Sequence, residues 1–119
     1  MKLVAPLANI NDYEELVDAG ADEFFCGFIP FDLLEQHNAF APINRREFLI
    51  DDCNIGNFCA LKILSKKIEQ YKIPVKMTFN SLYYTWSDYP KLINLITVLI
   101  DLGFDTFIMA DPALILYIK

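Results

Sequence analysis

The sequence lacks several features that define common functional classes. It has no excess of basic residues, since its 119 residues carry 10 lysines and arginines against 16 aspartates and glutamates, a formal net charge of −6. Such a chain has no basic stripe for binding a phosphate backbone, so independent binding to nucleic acid is disfavoured. The only histidine is His37, and no partner of predictable geometry completes a catalytic triad with it.

Cysteine is scarce and has no CxxC spacing. The chain has three cysteines, at positions 26, 53 and 59. An odd count argues against a disulfide framework. Cys53 and Cys59 would supply two thiolates to a metal ion, but two thiolates leave a tetrahedral zinc site incomplete. Plain reduced cysteines are therefore favoured, no metal is expected, and the expected compartment is the cytoplasm.

Long apolar runs are also absent. The most apolar window, residues 92–102, is interrupted by Asn94, Thr97 and Asp101. A membrane span needs about 20 consecutive apolar residues. We therefore expect no membrane partner.

What the sequence does contain is a series of short apolar runs that alternate with helical patterns. Hydrophobic residues make up 55% of the chain, and runs of this kind are typical of strands buried on both faces. Strands are predicted at residues 3–5, 23–28, 74–80 and 106–110.

Helix signals follow each of these runs. Asn11, with Glu14 three residues later, resembles a capping box, and Gly20 ends that helix. Apolar residues spaced by three and four predict a helix over 57–71 and another from Asp88 to Gly103. Asp111 followed by proline predicts the start of a further helix, which is still running at the last residue.

Strands that are each followed by a helix require crossover connections and hence parallel neighbours. The predicted fold class is therefore α/β, with about four strands and four helices in parallel (β/α) units. A complete (β/α)8 barrel takes about 250 residues. We expect residues 1–119 to be the N-terminal half of a TIM-like barrel domain and a fragment of a longer protein.

Candidate binding residues lie where the predicted strands end, because parallel strands bring their C-terminal ends together. Asn9, Asn80 and Asp111 follow three of the strands. For Asp111 the plainer interpretation is a helix cap. The function of Asn80 is open between ligand binding and structure.

The long irregular stretch 29–56 adds further candidates. A loop of this length in a compact domain is usually functional or poorly ordered, although residues 33–35 can form a turn of helix. It carries Asn44, Arg45 and Arg46. An arginine fork binds carboxylate or phosphate, and the alternative for Arg46 is an ion pair with Glu47 or Asp51. The aromatic residues Tyr83, Tyr84 and Trp86 either stack on a ligand ring or pack over the barrel mouth.

Several segments taken together resemble one known family. They are Gly20-Ala-Asp before an apolar strand, Asn44-Arg-Arg-Glu-Phe48, Thr78-Phe-Asn-Ser-Leu82 and Ala110-Asp-Pro-Ala-Leu114. In order and spacing, over nearly the whole chain, they resemble the N-terminal part of the peptidase U32 family.

The resemblance implies a TIM-barrel-like catalytic domain. It implies either the collagenase-like peptidase activity behind the family name or the hydroxylation of RNA bases or of a quinone precursor, some relatives using prephenate. It also implies that an iron-sulfur cluster, where present, is held by cysteines beyond residue 119, so no cofactor is expected within this segment. The substrate of the full-length protein is then a small molecule, a peptide or an RNA, and this segment alone is expected to be inactive. Cys26 departs from the family pattern and is not carried over as a ligand.

Two alternatives stay open at this point. One is a non-catalytic half-barrel that self-associates through its open strand edges. The other is a small domain that binds an anionic metabolite.

Overall fold

The computed structural model describes residues 1–30, 43–45 and 54–119, and these form a parallel sheet with helices between its strands. The strands of the described residues are β1 Val4–Pro6, β2 Glu23–Phe28, β3 Asn54–Ile55, β4 Val75–Phe79 and β5 Phe107–Met109. The helices are α1 Asp12–Asp18, α2 Phe58–Tyr71, α3 Tyr89–Asp101 and α4 Pro112–Ile118. The predicted loop turn at 33–35, together with His37 and Cys53, lies outside the described residues.

The sheet order confirms the predicted α/β class. The strands follow the order β1-β2-β4-β5, and every pairing is parallel. Along this path the strands keep their order in the chain, as they do in a β/α barrel, and β3 lies off the path beside β2. The arrangement is therefore compatible with a partial barrel.

Strand β3 was missed in the sequence, where residues 29–56 were expected to be irregular. It pairs with the end of β2, Gly27 beside Asn54 and Phe28 beside Ile55. The amide of Leu7 donates to the carbonyl of Phe25, and the amide of Ile29 donates to the carbonyl of Ile55. Backbone groups of alternate strand residues point to the same edge. Strand β3 thus continues that edge of β2 beyond the end of β1.

One face of the sheet packs on the helices and forms the core. The ring of Phe24 lies 4.9 Å from that of Tyr13 in α1, and the ring of Phe28 lies 5.0 Å from that of Phe58 in α2. Cys26, between them, is 1% exposed. This burial raises the pKa of the Cys26 thiol to about 12, because the charged thiolate is poorly solvated there.

The opposite face of the sheet carries charged and exposed residues. Glu23 binds Lys2 and Lys76 through its two carboxylate oxygens, at 2.6 and 2.5 Å. The hydrogen bonds from Lys2 and then Lys76 lower the pKa of Glu23 to about 2. On the same face Val4 is 47% and Ile108 is 37% exposed. In a closed barrel this face would be the interior.

The helix ends show which local signals were interpreted correctly. Gly20 and Gly103 have φ of 99° and 94°, and they follow α1 and α3 as predicted. The capping box at Asn11 was wrong, since the side chain of Asn11 makes no capping hydrogen bond. Its backbone amide instead donates to Oδ1 of Asn9, and Glu14 pairs with Lys67 of α2.

Within the described ranges, no helix has the length and apolar character that a bilayer crossing requires.

Candidate functional site: the polar end of the sheet

The described candidate residues gather at the C-terminal end of the sheet. Asn9 follows β1, Asn80 follows β4 and Asp111 follows β5. Asn44 and Arg45 contact this end through hydrogen bonds to Thr78 and Asn80. Arg46 lies outside the described residues, so its predicted role stays a prediction.

A cleft of about 250 Å³ opens at the ends of β1 and β3. It is lined by residues 8–10 after β1, residues 54–57 and Ala60 of α2. Its polar side chains are those of Asn9, Asn54 and Asn57. The described residues that line it carry no charged group. Its location is the usual one for ligands in parallel α/β folds.

Each of these three carboxamides already has its oxygen engaged. Oδ1 of Asn9 accepts from the amide of Asn11 at 3.0 Å, and Oδ1 of Asn57 accepts from the amide of Ala60 at 2.7 Å. The second bond caps α2, which explains why this helix begins at Phe58. Oδ1 of Asn54 accepts from Nδ2 of Asn44, at 3.4 Å.

Behind the cleft, Asn44 connects the loop segment 43–45 to the sheet. It is 2% exposed, and its Nδ2 donates to the hydroxyl of Thr78 at 2.8 Å. Gly27 makes room for this arrangement, because a Cβ there would lie 1.8 Å from Oδ1 of Asn54. Asn44 thus supports the cleft wall and does not line it.

Asn80 and Arg45, both predicted as binding residues, contact each other. Oδ1 of Asn80 accepts from the backbone amide of Arg45 at 2.9 Å, and Arg45 is exposed. The amide of Ser81 donates to the carbonyl of Ile43. Asn80 therefore has a structural role in holding segment 43–45, whether or not it also binds a ligand.

Asp111 caps α4, as predicted. Its Oδ1 accepts from the amide of Ala113 at 2.9 Å. Its Oδ2 accepts from the amide of Tyr84 at 3.2 Å and from the hydroxyl of Tyr89 at 2.9 Å. Burial, followed by the bond to this carboxylate, raises the pKa of Tyr89. Asp111 is 4% exposed. Its carboxylate therefore has a structural role, since it joins the start of α4 to Tyr84 and Tyr89.

The predicted aromatic loop divides into a buried and an exposed part. Tyr84 is buried, and its hydroxyl donates to the carbonyl of Ile43 at 2.8 Å. Trp86 is 79% exposed and packs edge-on against Tyr89 and Tyr117, while Tyr83 is 72% exposed. The loop thus fixes segment 43–45 from one side and presents rings to solvent on the other.

Comparison of the chain with protein-family models, curated proteins and solved structures finds no match. The U32 resemblance consequently stays a prediction, and the geometry of the polar end is what bears on function. In the described part of the chain, no group of three or more histidine, cysteine, aspartate or glutamate side chains is placed to hold a metal ion.

Sequence reasoning missed two of the three cleft asparagines. Asn54 lies in the stretch expected to be irregular, and its contribution follows from the pairing of β3 with β2. Asn57 lies at the predicted start of α2, where its side chain caps the helix. The available signal was local, because asparagine before a helical apolar pattern is a typical N-cap.

Proposed function

We propose that this chain is the N-terminal part of a β/α-barrel enzyme and supplies one wall of its substrate pocket. This wall is formed by residues 8–10 and 54–57, which line the cleft. The observation that carries the proposal is the position of this cleft at the C-terminal ends of β1 and β3, where enzymes of this architecture bind their substrates.

The U32 resemblance supports a narrower version of the proposal. On that basis the whole enzyme is a cytoplasmic peptidase or hydroxylase that acts on a peptide, an RNA or a small molecule. Its catalytic groups, and any iron-sulfur cluster, come from outside the described residues. The chain itself contributes binding and is inactive alone.

A fragment screen followed by ¹H–¹⁵N NMR tests the cleft as a binding site. Fragments that enter it shift the backbone resonances of residues 8–10 and 54–57 in a saturable way. Ala60→Phe fills the cleft and should abolish these shifts. Ile63→Phe is the matched control, because Ile63 lies on the same helix, is 50% exposed and does not line the cleft.

Two results would count against the proposal. One is a diverse screen in which no fragment perturbs the cleft. The other is a set of shifts that persists unchanged in Ala60→Phe.

A second candidate function is self-association without catalysis. It is favoured by the exposure of Val4 and Ile108 on the sheet face opposite the core, and by α4, where four of the apolar side chains are at least 41% exposed: Ile115, Leu116, Tyr117 and Ile118. Apolar surface of this kind, beside open strand edges, promotes pairing. Sedimentation velocity at rising concentration should then show a dimer that Ile108→Lys weakens. A monomer throughout would exclude it.

A further inference from the structure

The three asparagines of the cleft have a consistent orientation of their side-chain amides. Each carboxamide oxygen accepts a hydrogen bond, from the amides of Asn11 and Ala60 and from Nδ2 of Asn44. A backbone N–H can only donate, so the atom it meets on Asn9 and Asn57 must be the oxygen. The orientation of these two amides therefore follows from chemistry.

One lone pair of each oxygen is engaged, whereas in the described part of the chain the two donors of each NH₂ are not, so the NH₂ groups are the larger hydrogen-bonding capacity that Asn9 and Asn57 offer to a ligand. Each NH₂ has two donors and no acceptor. Within the described residues, neither group has a hydrogen-bond partner, and both side chains are exposed. Binding a ligand there thus replaces water and breaks no protein contact.

The charge around the cleft selects among ligands with acceptor oxygens. The lining that the structure describes has no lysine or arginine, and the whole chain carries a net charge of −6. A phosphate or dicarboxylate would meet neutral donors in a negative field, whereas a carbonyl oxygen has little charge to be repelled. The cleft is accordingly suited to uncharged acceptors.

We infer that the cleft binds small uncharged molecules through ligand carbonyl oxygens, to which the NH₂ groups of Asn9 and Asn57 donate. This inference rests on the proposed function, since it names the ligand class of the same cleft. Amides, ureas and lactams are the compounds that carry such oxygens.

Three probes test the ligand class by NMR titration, with Gly56 as the reporter. Tetramethylmalonamide has two amide carbonyls and no N–H, guanidinium has only donors, and inorganic phosphate is a charged acceptor. We expect saturable shifts with tetramethylmalonamide, and binding at least about 5-fold weaker, or undetectable, with the other two. Stronger binding of guanidinium or phosphate overturns the ligand class and leaves the cleft as a binding site. If none of the three probes binds detectably and the fragment screen yields no hit, both the ligand class and the cleft as a binding site are contradicted.

Asparagine-to-aspartate substitutions test the donors without removing the structural acceptors. Asn9→Asp still accepts from the amide of Asn11, and Asn57→Asp still caps α2, because aspartate is as good an N-cap as asparagine. Each substitution replaces NH₂ by an oxygen. Loss of one hydrogen bond corresponds to about a 5-fold weaker Kd for tetramethylmalonamide.

Asn11→Asp is the matched control. It adds the same charge near the cleft, but the side chain of Asn11 makes no capping bond and does not line the cleft. We expect its Kd for tetramethylmalonamide to stay within 2-fold of that of the unsubstituted chain. Equal weakening in all three variants would attribute the effect to charge and overturn the inference. Unchanged binding in Asn9→Asp and Asn57→Asp would also overturn it.

Discussion

The side-chain amide of Asn44 donates a hydrogen bond of 2.8 Å to the hydroxyl of Thr78. Both residues are nearly inaccessible, at 2% and 1% exposure. The bond joins segment 43–45 to β4, and Asn44 also reaches Oδ1 of Asn54 in the cleft wall. One buried amide thus connects a loop segment, the central strand β4 and the candidate binding site.

Removing this bond should destabilise the fold. Asn44→Ala leaves the buried hydroxyl of Thr78 without this donor, and we expect the free energy of unfolding to fall by about 2 kcal/mol. Urea denaturation measures the loss. In a double-mutant cycle with Thr78→Val, the coupling energy should be about 1 kcal/mol. Additive effects of the two substitutions would show that the bond contributes nothing.

A side chain at residue 27 should destabilise the fold while Asn54 is present. A Cβ at residue 27 would lie 1.8 Å from Oδ1 of Asn54 and 2.7 Å from Nδ2 of Asn44, so Gly27→Ala should cost about 1–3 kcal/mol of stability through overpacking. Asn54→Ala removes one clashing group, and Gly27→Ala should cost less in that background. Gly20→Ala is a useful comparison, because it meets no atom within 4 Å and is strained only by its φ of 99°. Equal costs of Gly27→Ala in both backgrounds would refute the steric explanation.

The ion cluster of Glu23 should give the protein an acid-sensitive component of stability. Its pKa is lowered from 4.5 to about 2 by Lys2 and Lys76. A depressed carboxyl pKa stabilises the fold fully above the unfolded value, and the contribution is lost as pH falls from about 4.5 through 2. We expect Glu23→Gln to flatten the decline in stability over this range.

The control for this experiment is Glu15→Gln. Glu15 is exposed on α1 and has no ion pair among the described residues. Chemical denaturation at several pH values compares the variants. If the free energy of unfolding falls with the same slope below about pH 4.5 in Glu23→Gln and in the unsubstituted protein, the acid-sensitive stability does not come from Glu23.

Asp111 should act as a structural centre for the aromatic loop. Asp111→Ala removes the cap of α4 and leaves the amide of Tyr84 and the hydroxyl of Tyr89 without their acceptor. We expect a loss of about 3 kcal/mol, made up of about 1 for the cap and about 2 for the unsatisfied donors. The near-ultraviolet circular dichroism of the Trp86–Tyr89–Tyr117 cluster should weaken in parallel. Retention of that signal and of full stability would show that the carboxylate is dispensable.

The two described cysteines should differ in reactivity. Cys26 is buried and its pKa is raised to about 12, whereas Cys59 is exposed on α2. Since the thiolate is the reactive form, iodoacetamide at pH 8 should modify Cys59 in the native protein and Cys26 only after unfolding. Peptide mapping by mass spectrometry distinguishes them. Equal labelling of both in the folded state would contradict the burial of Cys26.

The elements were predictable where a local pattern determined them. Strand β2 occupies the predicted residues 23–28, and α2 was predicted from apolar residues at spacings of three and four, of which Leu61 and Leu64 are fully buried. Gly20 and Gly103 marked helix ends because their backbone conformation is left-handed. Each of these signals is contained within a few consecutive residues.

The features that were not predicted depend on contacts between residues that lie far apart in the sequence. The bond between Asn44 and Thr78 spans 34 residues, and β3 is a two-residue strand that exists through its pairing with β2. No local periodicity indicates either one. The error at Asn11 has a local cause: the side chain of Asn9, two residues earlier, accepts from the backbone amide of Asn11, and the Asn11 side chain makes no capping bond. The polar end of the sheet was predicted in location, together with the cap that Asp111 forms on α4, but its long-range hydrogen bonds were not.

The side-chain NH₂ protons of Asn57 provide the most direct test of the central claim. In a titration with tetramethylmalonamide, we expect these protons to shift downfield, as donors to a carbonyl oxygen do, together with a shift of the backbone amide of Gly56. Their signals should follow a single saturable curve. A shift at Gly56 without any change in the Asn57 NH₂ signals, or no saturable shift at either, would contradict the account.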